Sequence, residues 1–401
     1  MRRAAWLVLA TLLSVGCDSD DGTDAGSTVD AGAIDGGVAP DASPPDAATP
    51  DGGAIDGAVT SDAGPPDAGM PPPMGPWTVY VSVGSESRLA VVDLALDGIA
   101  TEREEASLDL PGRPGPLARD PASGRLYVGL GGGSGTGIGT IEIDGAGVPS
   151  LSGTTDGPNP VYIVAAPEQR IVSAYFGDDQ VLSHDVSGAP AHAVLDTLMS
   201  ADEPHAAAMG PNGLIYVPHR NGGTTWWLRL GADGSLERVG ELASEDGAGP
   251  RHIAFHPSGD FAYIVNEYSD SVSTHTIAAD GTLTRIETVS ALEGGPSDGN
   301  TAADVHVTAD GRFLYSTNRG DNSFARFSIA ADGRLTFLGN SITEPQPREF
   351  ELTPGGPYVI SLGQASGQMA VYRIQDDGSL MQTARLDIGR QLMWAIAVPT
   401  P

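Results

Sequence analysis

The chain contains no lysine. All 21 of its basic side chains are arginine, set against 52 Asp and Glu, for a formal charge of −31 over 401 residues. Nucleic acid is held by dense basic surface, so it is excluded as a partner. A small anion is not excluded, but only arginines gathered in one place can hold it. Cysteine occurs once, at Cys17. That excludes a disulfide within the chain, a thiolate nucleophile beyond residue 17, and a Cys-x-x-Cys metal or haem motif. Beyond the first residues, no apolar run approaches the twenty or so needed for a membrane-spanning helix. A serine nucleophile on a strand-to-helix elbow is not expected.

What is present falls into three zones. Residues 1–17 read MRRAAWLVLATLLSVGC: two arginines, an apolar run, then Ser-Val-Gly-Cys. This is an export signal, with Cys17 where a bacterial lipoprotein signal is cut and the new N-terminus lipidated. The expectation is a protein anchored in the cell envelope by lipid at Cys17, on the periplasmic or cell-surface side. Residues 18–76 are Asp, Gly, Ala, Ser, Thr and Pro almost throughout, without Lys, Arg, Glu or an aromatic residue. Such a segment cannot bury enough apolar area to offset its ordering entropy, and reads as a disordered acidic tether. Residues 77–401 carry the pattern of a folded domain.

That domain repeats. GPRHIAFHPSGDFAYIVNEYSDSVSTHTIAADGTLTRI (Gly249–Ile286) has counterparts starting at Glu203, Ala302 and Gln346. Within the unit, Arg251–His256 reads as a strand, Pro257–Gly259 as a turn, Phe261–Val265 as a second strand and Val272–Ile277 as a third. A tight turn at Asp280-Gly281 leads to a fourth, Leu283–Val289. The Asp-Gly recurs at Asp233, Asp332 and Asp377. Four antiparallel strands in roughly 45 residues make a propeller blade. Weaker copies precede these. The first, WTVYVSVG (Trp77–Gly84), lacks an innermost strand, and the C-terminal LMWAIAVP (Leu392–Pro399) supplies one without a blade of its own. The expected fold is therefore an all-β, seven-bladed β-propeller, its ring closed by the C-terminal strand so that no edge is left open.

In a blade, the start of strand one and the end of strand two meet at the same mouth of the ring. The matching positions hold His205, Arg251 and Arg348 at strand starts, and Arg220-Asn221, Asn266-Glu267, Asn318-Arg319 and Gly363-Gln364 at strand ends. Blade packing does not call for this polar assortment, so His205, Arg251, Glu267 and Arg319 are the candidate catalytic residues. Arg348, Gln364, Asn221 and Asn318 are candidate substrate contacts. Asp304 starts a strand beside the same mouth and is a candidate partner for an arginine. His252, His256 and His306 are expected to be packing or turn residues. No metal set shows at ligand spacing, and neither metal nor organic cofactor is expected. Guanidinium forks hold carboxylate or phosphate bidentately, an Arg can stabilise an oxyanion, and a neutral His can take a proton from water. The implied partner is a small anionic or oxygen-rich molecule bound by a monomer.

These residues resemble the lactonase family of seven-bladed propellers, which includes bacterial 6-phosphogluconolactonase and fungal carboxy-cis,cis-muconate cyclase. The resemblance lies in GPRHIAFHP (Gly249–Pro257), VNE (Val265–Glu267), DGRFLYSTNRG (Asp310–Gly320), and PRE with the later GQ (Pro347–Glu349, Gly363-Gln364). It implies hydrolysis of a sugar-acid or carboxylated lactone, with His205, Arg251, Glu267 and Arg319 lining a central cleft. A non-catalytic surface propeller that binds a ligand or protein is the competing expectation, since the fold serves both roles. Isomerisation or cyclisation of an unsaturated acid is a further one.

Overall fold

The computed structural model describes residues 75–132, 135–188 and 192–400. The expected signal, Cys17 and nearly all of the expected tether lie outside them. The described residues form seven antiparallel sheets of four strands, one of which carries an extra two-residue strand. The fifth blade shows the local logic. Its strands are Pro250–Phe255, Phe261–Asn266, Ser271–Ile277 and Leu283–Ser290, paired in that order. The second strand is buried along almost its whole length, whereas the fourth is exposed or half-buried after its first residue. A strand covered on both faces needs apolar residues throughout; an outer strand does not.

The ring closes as the sequence indicates. Leu392–Pro399 pairs with Trp77–Val83, from Trp77 opposite Pro399 to Val83 opposite Leu392. The core is a series of apolar layers between blades. One joins Tyr263, Val265 and Val272 of the fifth blade to Leu314, Ala325 and Phe327 of the sixth. Another joins Val79 and Val81 of the first to Ile360, Leu362 and Val371 of the seventh. Burying each such Val, Leu, Ile or Phe side chain contributes about 1.5–3 kcal/mol relative to leaving it exposed.

A tyrosine in the second strand latches successive blades. Tyr216 donates its hydroxyl to the carbonyl of Gly281 at 2.9 Å, Tyr263 to Gly333 at 3.0 Å and Tyr315 to Gly378 at 3.0 Å. Each acceptor is the glycine of the next blade's Asp-Gly turn, where φ is positive (90°, 81° and 77°). Only glycine reaches such angles at little cost, so the repeated Asp-Gly serves both the turn and the latch. Tyr80 does the same to Gly147 at 2.9 Å, and Tyr358 reaches the carbonyl of Leu96 at 2.7 Å across the ring closure.

Candidate active site

The inner strands of three neighbouring blades are bulged at matching places. Pro250 pairs with Asn266 and His252 with Val265, which leaves Arg251 in the bulge. Pro347 pairs with Gly363 and Glu349 with Leu362, which leaves Arg348. In the blade between them, Ala302 pairs with Asn318 and Val305 with Ser316, so Ala303 and Asp304 fall in the gap. A bulge takes a side chain out of the strand's alternation and re-aims it. The fourth blade goes further: its inner strand is reduced to Ala208–Met209. His205 therefore sits on irregular backbone, tied by its N–H to the carbonyl of Pro218 at 2.9 Å.

Around these bulges, three arginines share one carboxylate. Glu267, 3% exposed, follows the second strand of its blade. Its Oε1 takes Nη1 of Arg220 at 2.8 Å and lies 2.8 Å from Nη2 of Arg319. Its Oε2 is 3.2 Å from Nε of Arg251, an ion pair off hydrogen-bond alignment. Burial works to raise the Glu267 pKa, but Arg319, Arg251 and Arg220 outweigh it and hold the carboxyl below its usual range. Arg251 is fully buried and donates to the carbonyl of Ala303 at 2.6 Å and to Glu349 Oε1 at 3.2 Å. Arg220 also pairs with Glu203 at 3.0 Å and lies over the Phe176 ring at 4.5 Å.

Arg348 differs from the other three. Among the described residues it has neither a hydrogen bond nor an ion pair. Burial, with Arg251 and Arg319 nearby, pushes its pKa down to about 10, so it stays charged at neutral pH. His205 is 3% exposed and packs edge-on to Phe176, with its ring centroid 5.4 Å from that of His252. Burial first, then Arg251 and His252, hold His205 well below its ordinary pKa. It is neutral, and its Nδ1 has no hydrogen-bond partner.

Deeper along the axis lies a second network. His252, Asp304 and Glu349 occupy equivalent positions on three consecutive inner strands. His252 Nδ1 is 2.8 Å from Asp304 Oδ1, and His306 Nε2 is 3.0 Å from Asp304 Oδ2. These groups, with Glu351, Tyr162 and Trp394, line a cavity of about 240 Å³. Burial and the Asp304 charge push Glu349 well above the usual carboxylate range, and burial raises Glu351 to about 7. Burial opposes charging His306, but Asp304 wins and lifts it to about 9. The ligand atoms of His252, Asp304 and Glu349 lie within 4.8 Å of one another, close enough to hold a metal ion. Here, however, both Asp304 oxygens already accept backbone N–H groups, from Val305 and Phe350, besides the two imidazoles. Glu349 meanwhile faces the Arg251 guanidinium.

The structure thus brings together His205, Arg251, Glu267, Arg319 and Arg348 as the blade argument required. It does not do so for the other three expected contacts. Asn318 is fully buried and structural: its amide donates to the carbonyl of Ala291 at 2.9 Å and accepts from Asn300. Asn221 is exposed and accepts from the Tyr268 hydroxyl at 2.6 Å; its neighbour Arg220 is the one that reaches Glu267. The Gln364 amide lies against Met393 Sδ at 3.4 Å. Asp304 meets imidazoles rather than an arginine. His252 and His306, expected as packing residues, belong to the deeper network. The signal for it was present one residue further along each inner strand, where His252, Asp304 and Glu349 align.

Fold and site together define a seven-bladed propeller with an arginine-lined polar cleft at one end of its axis. The model of the family "Lactonase, 7-bladed beta-propeller" matches residues 80–393, and the chain belongs to that family. It is 33% identical over 332 residues to a 6-phosphogluconolactonase of Pectobacterium carotovorum, covering 79% of this chain and 97% of that one. To a 6-phosphogluconolactonase of Yersinia pestis it is 32% identical over 331 residues, covering 79% and 96%. Among solved structures, the periplasmic gluconolactonase of Pseudomonas aeruginosa superposes with a TM-score of 0.74 at 22% identity, over 82% of this chain and all of that one. A Lactobacillus plantarum protein gives the same score and identity over 81% and 100%. At that identity the structural likeness concerns the fold.

Proposed function

We propose that the protein hydrolyses a lactone bearing an anionic or oxygen-rich substituent, by direct attack of water in the arginine-lined cleft. The observation that carries this is Arg348: a charged, unpaired guanidinium beside Arg319 and Arg251, whose carboxylate partners are already in place. A free fork at such a place binds a carboxylate, a phosphate or a developing oxyanion. A neutral imidazole nearby supplies a base. The names of the relatives at 32–33% identity support lactone hydrolysis, and a sugar-acid lactone is the substrate class we favour. With the lipid anchor proposed at Cys17, the enzyme would work in the cell envelope on a lactone outside the cytoplasm.

The test is a panel of sugar, muconate-type and acyl-homoserine lactones, followed by proton release in weak buffer. Wild-type protein should hydrolyse at least one sugar-acid lactone. Arg348→Ala should raise KM by roughly 10- to 100-fold, since a charge-assisted hydrogen bond is worth about 1.5–3 kcal/mol. Because Arg348 holds no other group in place, the variant should fold normally. No turnover on any lactone by folded wild-type protein would leave the binding-only propeller as the better reading.

A further inference from the structure

Two imidazoles stand in the cleft, and they are not equivalent. Among the described residues no hydrogen bond orients the ring of His205, which is held only by packing: its Nδ1 is buried without a partner. His252 is fixed. Its Nδ1 faces Asp304 Oδ1 at 2.8 Å, and Asp304 is held on both sides. Oδ1 also accepts the Val305 N–H at 2.9 Å, while Oδ2 accepts the Phe350 N–H at 3.2 Å and faces His306 Nε2 at 3.0 Å. A carboxylate so held is ionised and can only accept, so the proton of neutral His252 sits on Nδ1 and Nε2 keeps its lone pair. Arg251 Nη1 is 3.1 Å from Nε2 and 3.5 Å from Nδ1. Near to both nitrogens, it lies over the ring rather than in line with one lone pair. Tyr162 and Trp394 pack against the ring, with centroids at 5.3 and 6.1 Å. Glu349 Oε2 stands 3.8 Å from Nδ1, and Glu351 lines the same cavity.

From this geometry we infer that His252, positioned by Asp304, is the general base of the hydrolysis, and that His205 only lines the cleft. The inference rests on the lactonase reading above. As the water oxygen bonds to the lactone carbonyl carbon, one water proton passes to His252 Nε2, and the carbonyl oxygen becomes an oxyanion facing the arginines. The imidazolium is stabilised by the Asp304 carboxylate, as in any base–carboxylate pair of this kind. When the tetrahedral intermediate collapses, the ring C–O bond breaks and the alkoxide takes that proton back from Nε2. The product is a hydroxy acid, whose carboxyl proton then leaves to solvent; this is the proton that the assay counts.

The experiment compares H252Q, H205Q and D304N on the substrate found by the panel, with H252A and H205A assayed in added imidazole. H252Q should lose 10²- to 10⁴-fold in kcat, the usual contribution of a general base, at nearly unchanged KM. H205Q should lose far less in kcat. D304N should lose kcat in the same direction as H252Q, because an amide there can donate to Nδ1 and reverse the tautomer. Imidazole should restore turnover to H252A, which has lost a ring beside a cavity, and not to H205A. Independently of any substrate, ¹⁵N spectra of histidine-labelled wild type should show the His252 ring neutral and protonated at Nδ1, a pattern lost in D304N. Full kcat in H252Q, imidazole rescue of H205A alone, or an Nε2-protonated His252 would each overturn the assignment. Turnover by wild type with H252Q unaffected would sink this inference alone; no turnover by wild type would sink the hydrolase reading and this inference with it.

Discussion

At Glu267 one carboxylate answers three guanidinium groups, and two of them reach the same oxygen at 2.8 Å. Removing one partner of a buried pair typically costs about 3–5 kcal/mol, because the charge left behind is uncompensated. Here Arg319 would lose its carboxylate partner outright, while Arg220 would keep Glu203 and Arg251 would keep Glu349. Glu267→Gln should therefore lower the unfolding temperature well beyond a surface substitution. It should also turn the cleft into a stronger anion trap. Millimolar phosphate should restore much of the lost stability of E267Q while moving the wild type little, as ligand linkage requires. A thermal scan with and without phosphate reads both effects, and an E267Q protein as stable as wild type would mean that Glu267 does not hold the arginines together. The hub was only half legible in the sequence. Position matching found Arg251, Glu267, Arg319 and Arg348, because blade geometry gathers strand ends whatever their chemistry. It could not say that Arg220 rather than Asn221 turns inward, or that Asn318 satisfies backbone carbonyls. Those outcomes depend on side-chain reach and on which buried polar groups lack partners.

Strands carry the repeat, and the bulges within them carry the chemistry. The bulges at Arg251 and Arg348 interrupt the period-2 pattern that makes strands readable, which is why Arg251–His256 alternates only imperfectly in sequence. The same irregularity that blurs a strand places two arginines in the cleft. The latches were legible in one half alone: the Asp-Gly turns stand out, whereas a tyrosine among apolar residues does not announce its acceptor. Tyr263→Phe tests their worth. It removes one hydroxyl and leaves the Gly333 carbonyl buried without that donor. The cost should be about 1–3 kcal/mol, read as a lower denaturant midpoint at unchanged slope. No shift in the midpoint would mean that interblade packing alone sets the spacing of the blades.

For the whole molecule, acid should be the weak point, and the reason lies away from the cleft. His184, His192, His219 and His275 are each at most 4% exposed, and burial holds each at about 4. In the unfolded chain they titrate near 6.5. Between those values the unfolded state binds more protons, so stability rises with pH through the window and falls as pH drops from 6.5 towards 4. At about 1.4 kcal/mol per unit of pKa, each contributes roughly 3 kcal/mol at most. Glu351, pushed to about 7 by burial, and Glu349, held above the usual carboxylate range, work in the opposite direction over part of that window, but His205 and His252, also lowered, add to the four. On the alkaline side, His306 is held at about 9, so its contribution is present below 6.5 and lost as pH rises through 9. The unfolding temperature should therefore peak near pH 6.5 and fall most steeply on the acid side. His219 allows the cleanest check: among the described residues neither ring nitrogen makes a well-aligned hydrogen bond, the backbone of Thr224 and Val217 only helping to oppose the downward shift, and the ring lies 4.7 Å from that of Trp226. His219→Phe keeps an aromatic ring there and removes the titration, so the acid limb should become shallower by about one proton. An acid limb equally steep in wild type and H219F would place the proton uptake elsewhere in the ring of blades.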